Sequence, residues 1–155
     1  MRIRNLEKKD IKGASEIVRR NYNTRYQRNS AREMRAMFGN PVIPPKYVVA
    51  EENGKIMGCG GYIQSWMDYN IYNIFWINVD PSRQRQGIGT KIVGHIIADI
   101  RKQKGADRKA STILLTTDKP GFYRKRFGFR TIERFKDKYH HLMCLELRNK
   151  SNGLK

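Results

Sequence analysis

The apolar and polar positions of this chain change period several times, and each change marks an element. After a short strand-like stretch, "RIRNL" at 2–6, the apolar residues Ile11, Ala14, Ile17 and Val18 recur at helical spacing. Asp10 precedes them as the expected N-cap, and the pattern fades near Asn21 to Asn23. A second, shorter helix is predicted over "SAREMRAMF" at 30–38, with Ser30 as its cap and Glu33 as the capping-box partner. "GNPVIPP" stops it. Alternation of β-branched and aromatic residues with polar ones then runs through 46–66 and 69–79. "ENGK" supplies a turn within the first stretch and "MDYN" one between the two, so three antiparallel strands are predicted.

In the second half, Ile88, Ile92, Val93, Ile96, Ile97 and Ile100 share one face of a helix predicted over 87–104. Arg101, Lys102 and Lys104 close it, at the end where the helix dipole favours cations. "STILLTT" is read as a buried strand, "KPGFYRKRF" as a short helix, "FRTIERF" and "KYHHLMCLELR" as the last two strands, and 149–155 as a frayed tail. The predicted order, β-α-α-β-β-β-α-β-α-β-β, is an α/β (α+β) arrangement. It gives one domain over 1–148, a mixed, mainly antiparallel sheet of about seven strands flanked by about four helices. A length of 155 residues suits a single core.

Charge changes the picture more than hydropathy does. The formal net charge is +18, and residues 81–155 hold 19 Lys and Arg against 6 Asp and Glu. The second half therefore favours anionic partners: a phosphate-bearing cofactor, an acidic protein or nucleic acid. No stretch approaches the roughly 18 apolar residues that span a bilayer, and "MRIRNLEKKDIKG" lacks the apolar block of a signal peptide, so a soluble cytoplasmic protein without a membrane partner is expected. Cys59 and Cys144 lie far apart in strand-like contexts and are read as reduced core thiols, with no metal site.

The stretch "VDPSRQRQGIGTKIV" at 79–93 carries the chemistry. A strand that feeds a glycine turn opening a helix leaves several backbone N–H groups without intrahelical partners, backed by the positive end of the helix dipole. That geometry binds phosphate. Gly87 and Gly89 let a ligand approach the backbone, Arg83 and Arg85 add charge, and Gln84 and Gln86 add donors. A dinucleotide-binding turn needs a third glycine where Ile92 stands, and "GIGTK" lacks the spacing of a triphosphate loop, so both of those readings fail.

The stretch resembles the acyl-CoA loop of the GNAT superfamily of N-acetyltransferases, V-x-P then [QR]-x-x-G-x-[GA], with Val79, Pro81, Gln84, Gly87 and Gly89 at those positions. "IRNLEKKDIKGASEIV" is similar to the family's first strand and helix, and "GFYRKRFGFR" to its late helix followed by Gly-Phe. The resemblance implies transfer of an acetyl group from acetyl-CoA, as cosubstrate, to a primary amine. It implies a pyrophosphate held by the backbone of Arg85, Gln86, Gly87, Ile88, Gly89 and Thr90 with Gln84 beside it, and a pantetheine alongside Ile77, Asn78 and Val79. The Val79 N–H is then the candidate donor to the thioester carbonyl.

Many members place a tyrosine acid four residues before the glycine of Gly-Phe. That slot is Arg124 here, with Tyr123 one residue earlier, about 100° away on a regular helix. Either Tyr123 still reaches the sulfur, as the candidate catalytic acid, or solvent supplies the proton. The glutamate that many members carry on the fourth strand is absent from "YNIYNIFWINV", which leaves the base unassigned, His95, His140 and His141 included.

The acceptor is a small-molecule or protein amine, and candidate residues around it are Tyr22, Arg25 and Tyr26, and Trp66, Asp68, Tyr69 and Tyr72. A surface of +18 argues against polyamines, aminoglycosides and lysine-rich tails. A monomer and a homodimer both fit. The competing reading is a catalytically weak module on the same fold that binds nucleic acid or an acidic partner through its basic surface. It is disfavoured because the basic residues are scattered among several elements rather than lined along one helix with interleaved aromatics.

Overall fold

Strand alternation and helical periodicity produce the architecture they predict, with shifts at the ends of elements. The computed structural model describes residues 1–105, 108–136 and 140–147, so the tail expected over 149–155 lies outside the described residues. The strands are β1 (Arg2–Asn5), β2 (Lys46–Glu52), β3 (Lys55–Gln64), β4 (Ile71–Val79), β5 (Thr112–Thr117), β6 (Arg130–Phe135) and β7 (His140–Glu146). They form one sheet in the order β1-β2-β3-β4-β5-β7-β6. Every neighbouring pair is antiparallel except β4 with β5.

Helices α1 (Ile11–Asn21) and α2 (Thr24–Ala36) cover one face of the sheet, and α3 (Ile88–Lys102) and α4 (Pro120–Phe127) the other. The isoleucine row of α3 is buried in the larger core with Val48, Ile74, Ile113, Leu115, Tyr123 and Phe129. The smaller core gathers Leu6, Ile11, Ala14, Val18, Met34, Tyr47 and Cys59 under α1 and α2. Both cysteines are free and buried. No helix among the described residues is long and apolar enough to cross a membrane.

Three sequence expectations shift. The second helix begins six residues earlier than Ser30, because Asn23 is its cap and accepts a hydrogen bond from the Tyr26 N–H (3.1 Å). Ser30 lies inside the helix, fully buried, and its hydroxyl donates back to the Gln27 carbonyl (2.9 Å). Asp10 does not cap α1 through its side chain. Its carboxylate accepts from the Glu7 N–H (2.8 Å) and from Arg4, and so closes the 3-10 turn Lys8–Asp10 that precedes the helix. Helix α3 ends at Lys102, where Gln103 turns extended and Lys104 enters a two-residue antiparallel pairing with Lys109.

Arg4 fastens the start of the chain. Its Nε meets Glu51 at 2.5 Å on β2, and its two terminal nitrogens grip Asp10 at 2.6 and 3.1 Å. The guanidinium holds both carboxyls below their ordinary range, and those groups raise Arg4 further above its own. Carboxyls depressed in the folded state add stability above their unfolded pKa, near 4, and lose it as pH falls through the lower folded value. Arg4→Met is expected to lower unfolding free energy by about 2 kcal/mol at neutral pH, less than a fully buried pair because Arg4 stays in touch with solvent. It also leaves Asp10 buried without its cation, so the acid unfolding midpoint moves upward. Urea titrations at neutral and mildly acidic pH check both effects.

Candidate functional site

Two neighbouring strands part company in the middle of the sheet. Strands β4 and β5 pair only at Ile71 with Thr112, Tyr72 with Ile113, and Asn73 with Leu114. Beyond those rungs they diverge, and the cause lies on the other edge of β4. There Cys59 pairs with Asn78 and Gly61 with Phe75, so Gly60 alone faces both Trp76 and Ile77. This β-bulge puts Trp76 in the left-handed region at φ 52° and bends the strand. A Cβ on Gly60 would sit 2.5 Å from Ile77 Cδ1, so glycine lets the bulge close onto α3.

The bulge also decides which backbone groups face the opening. Asp80 N–H donates to the Met57 carbonyl (2.8 Å), which makes residues 80 and 57 a hydrogen-bonded pair. By alternation Asn78 with Cys59 is another, and Val79 opposite Gly58 is the intervening pair whose N–H and C=O turn away from β3. The Val79 N–H thus lies on the β5 side. Its carbonyl accepts from Asn21 Nδ2 (3.0 Å) and Gln84 Nε2 (3.3 Å).

The divergence opens a cleft of about 640 Å³, within the usual span for ligand sites. At its mouth the chain passes through the 3-10 turn Pro81–Arg83 into Gly87, which takes φ 79° as the N-cap of α3. The first α-helical bond runs from Lys91 N–H to Gly87 O (3.0 Å), so the N–H groups of Ile88, Gly89 and Thr90 precede it without intrahelical partners. A Cβ at Gly87 would meet no protein atom within 4 Å: the space before these N–H groups is open.

The far wall comes from the end of β5 and from α4. Tyr123 is 7 % exposed, and its ring meets Phe122 at 4.9 Å and Phe129 at 5.7 Å, edge to face. Helix α4 ends in a left-handed Gly128, whose N–H donates to the Arg124 carbonyl while Phe129 N–H reaches that of Tyr123. The helix is regular through this region. It is Tyr123 that faces the cleft, and Arg124 that is exposed, with its Nη2 3.5 Å from Thr131 Oγ1. Burial pushes the Tyr123 phenol above its ordinary range, with Tyr22 and Asp118 adding to the shift.

Of the residues expected at the cofactor, Ile77, Asn78, Val79, Gln84, Arg85, Gly87, Ile88, Gly89 and Thr90 line this cleft, with Tyr123 across from them. Gln86 is not in the lining, and its amide accepts from Arg83 Nε (3.0 Å). Arg83 is itself held by Glu52 (2.6 Å). Gln84 turns inward, and its amide ties Asn21 (3.0 Å) to the loop. Of the acceptor candidates, Tyr22 lines the cleft and its ring meets Tyr26 at 5.4 Å, tilted by 45°, Tyr26 meets Trp76 at 6.0 Å, and Arg25 is exposed outside the lining. Trp66, Asp68 and Tyr69 sit at the opposite end of β4, and Tyr72 is buried in the core.

Among the charged and amide-bearing lining residues, Asn21, Asp118, Lys119 and Arg126 were not singled out in the loop, strand or acceptor readings, nor was the aromatic Trp76. His140, considered as a base, lines the cleft as well. Thr117 pairs with His141, which brings Asp118 and His140 to the same end of that ladder, both in the cleft lining. Periodicity carries no signal for such a meeting, which depends on strand pairing distant in sequence.

The sequence profile described as the acetyltransferase (GNAT) family matches residues 11–129. No curated protein sequence matches the chain significantly. Among solved structures, an aminoglycoside 6'-N-acetyltransferase complexed with coenzyme A is similar, with a TM-score of 0.77 and 18% identity, over 98% of this chain and 100% of that one. The ribosomal-protein-S18-alanine N-acetyltransferase of Escherichia coli has a TM-score of 0.71 and 20% identity, over 99% and 98%. A GNAT family acetyltransferase from Brucella melitensis in complex with acetyl-CoA has 0.68 and 22%, over 97% and 90%.

Replacing Gly87 by valine should weaken coenzyme A binding at least about tenfold, since a β-branched residue at positive φ is strained and its side chain enters the space before the helix N-terminus. Calorimetric titration of the folded variant measures this. An unchanged affinity would remove the loop from the binding site.

Proposed function

The chain belongs to the acetyltransferase (GNAT) family, whose profile spans residues 11–129, and from that premise we propose that it moves an acetyl group from acetyl-CoA to a primary amine by direct transfer. The observation that carries this reading is the glycine turn with its unpartnered N–H groups at the mouth of the β4–β5 divergence. The N–H groups of Ile88, Gly89 and Thr90 suit a pyrophosphate, with Arg85 nearby in the lining. The wedge between β4 and β5 suits the extended, amide-bearing arm of the cofactor. Acetyl-CoA supplies an activated thioester carbonyl.

In the proposed reaction the amine nitrogen bonds to the thioester carbonyl carbon, the C–S bond breaks, and one proton passes from nitrogen while another reaches sulfur. The Val79 N–H, turned to the β5 side, is the donor suited to the developing oxyanion. Tyr123, kept protonated by burial, hydrogen-bonds the departing sulfur and hands on the proton. Asp118 is the carboxylate among the described lining residues, His140 lines the same cleft, and these are the groups suited to take the proton from the amine. Tyr22, Tyr26 and Trp76 form an aromatic wall beside them, on the α1–α2 side where the acceptor arrives.

A screen of amines with a thiol-release readout tests the activity, and absence of both turnover and acetyl-CoA binding would end this reading. With an acceptor in hand, Tyr123→Phe should lower kcat by about 10²-fold with KM for acetyl-CoA changed less than about twofold. Because the phenol is held above its ordinary range, Tyr123 adds no alkaline limb to the kcat profile below about pH 10. A loss under about threefold would instead assign the proton to solvent. Asp118→Asn should reduce kcat/KM for the amine about tenfold or more while leaving acetyl-CoA affinity unchanged, measured by steady-state kinetics beside calorimetry.

A further inference from the structure

The earlier start of α2 changes the distribution of positive charge. Arg25, Arg28, Arg32 and Arg35 all fall within Thr24–Ala36, spaced by three, four and three residues, which sets them on one side of the helix over about 15 Å. All four are exposed. Among the described residues none of them forms an ion pair or a side-chain hydrogen bond. Glu33, the acid of this helix, lies on the other flank and accepts from the Trp76 indole N–H at the aromatic wall.

The row borders a groove. Between α1 and α2 a depression of about 520 Å³ is floored by Ile11, Ser15 and Ala31 and walled by Lys8 and Lys12 on one side and Arg28 and Arg35 on the other. Gln27 completes the lining, and no carboxylate does. Glu16, one turn beyond Lys12, is held by Arg19 (2.5 Å) and by Gln27 Nε2 (3.1 Å). Four cations thus line one shallow channel with no carboxylate in its lining, and Arg25 and Arg32 continue the row beside it, although elsewhere Arg2, Arg4, Arg19, Arg20, Arg83 and Arg130 are each paired.

We propose that this α1–α2 groove and its arginine row bind the sugar-phosphate backbone of an RNA strand. The cations are mainly arginine, whose planar fork matches phosphate oxygens two at a time. Their spacing along a straight helix suits successive charges on a polymer better than one small anion. Gln27 has its amide nitrogen taken by Glu16, which leaves its oxygen as an acceptor that a ribose 2′-hydroxyl satisfies and a deoxyribose does not. The site goes beyond acetyl transfer: it lies across α2 from the aromatic wall and shares none of the residues of the catalytic cleft.

The test is fluorescence anisotropy of a labelled RNA hairpin with the full chain, between about 0.05 and 0.2 M salt. The variant R25Q/R28Q/R32Q/R35Q should bind at least about tenfold more weakly and lose about three from the slope of log affinity against log salt. Its acetyl-CoA affinity and its circular dichroism should match the parent, which separates this surface from the cofactor site and from folding. A control that removes the same charge elsewhere, K55Q/R101Q/K102Q/K109Q, should leave most of the RNA affinity. Equal losses in the two variants would overturn the site in favour of diffuse surface charge. Equal affinity for the matching DNA hairpin would overturn the assignment to RNA. Displacement of the RNA by a polyglutamate peptide of equal charge would overturn it in favour of an acidic protein.

Discussion

Everything about the cleft depends on one backbone constraint: two adjacent parallel strands that stop pairing after three rungs. A continuous ladder would carry on from Ile74 opposite Leu115 and leave no room between the strands. The divergence instead exposes strand edges in the interior, where unpaired N–H and C=O groups are normally avoided. The protein limits that exposure with side chains. Asn21 and Gln84 cover the Val79 carbonyl, and Tyr123 with Phe122 closes the far wall. What stays open is the part that a ligand carrying its own amides can fill.

Much of this was legible in the sequence, and the unread parts have physical reasons. The isoleucine row fixed α3, and the glycine turn fixed the loop, because both signals are local and periodic. Helix α2 was foreshortened because its first turn, Thr24 to Gln27, presents no apolar stripe; it is held by the Asn23 cap and by the tilted contact of the Tyr22 and Tyr26 rings. The bulge at Trp76 leaves no mark in an alternating strand, since the extra residue is another apolar one. The inward facing of Tyr123 follows from where Pro120 begins α4 and where Gly128 ends it. Spacing from Gly128 alone points to Arg124.

Charge gives the sharpest contrast between sequence and fold. Counting along the chain weights the second half, yet a row of cations without ion pairs among the described residues lies in the first, on α2 and around its groove with α1. Sequence distance hides this, because acids and bases that meet in space are far apart in the chain. Arg83 meets Glu52 and Arg20 meets Asp80, so cations that look available in the sequence are engaged. The arginines of α2 look scattered in the sequence, and only a helix that begins at Thr24 lines them up.

The three-rung seam also bears on how the molecule comes apart. Strands β1 to β4 with α1, α2 and α3 form one block of neighbouring antiparallel pairs, and β5 to β7 with α4 form another. The blocks share the larger core but few ladder bonds, and α3 packs on β2, β3 and β4 of the first block. With so few ladder bonds, the seam is the expected line of local opening, and the C-terminal block is expected to exchange its amides sooner than β2 and β3. An occupant of the wedge bridges both units, so the groups that hold it also govern how far the two blocks unfold as one.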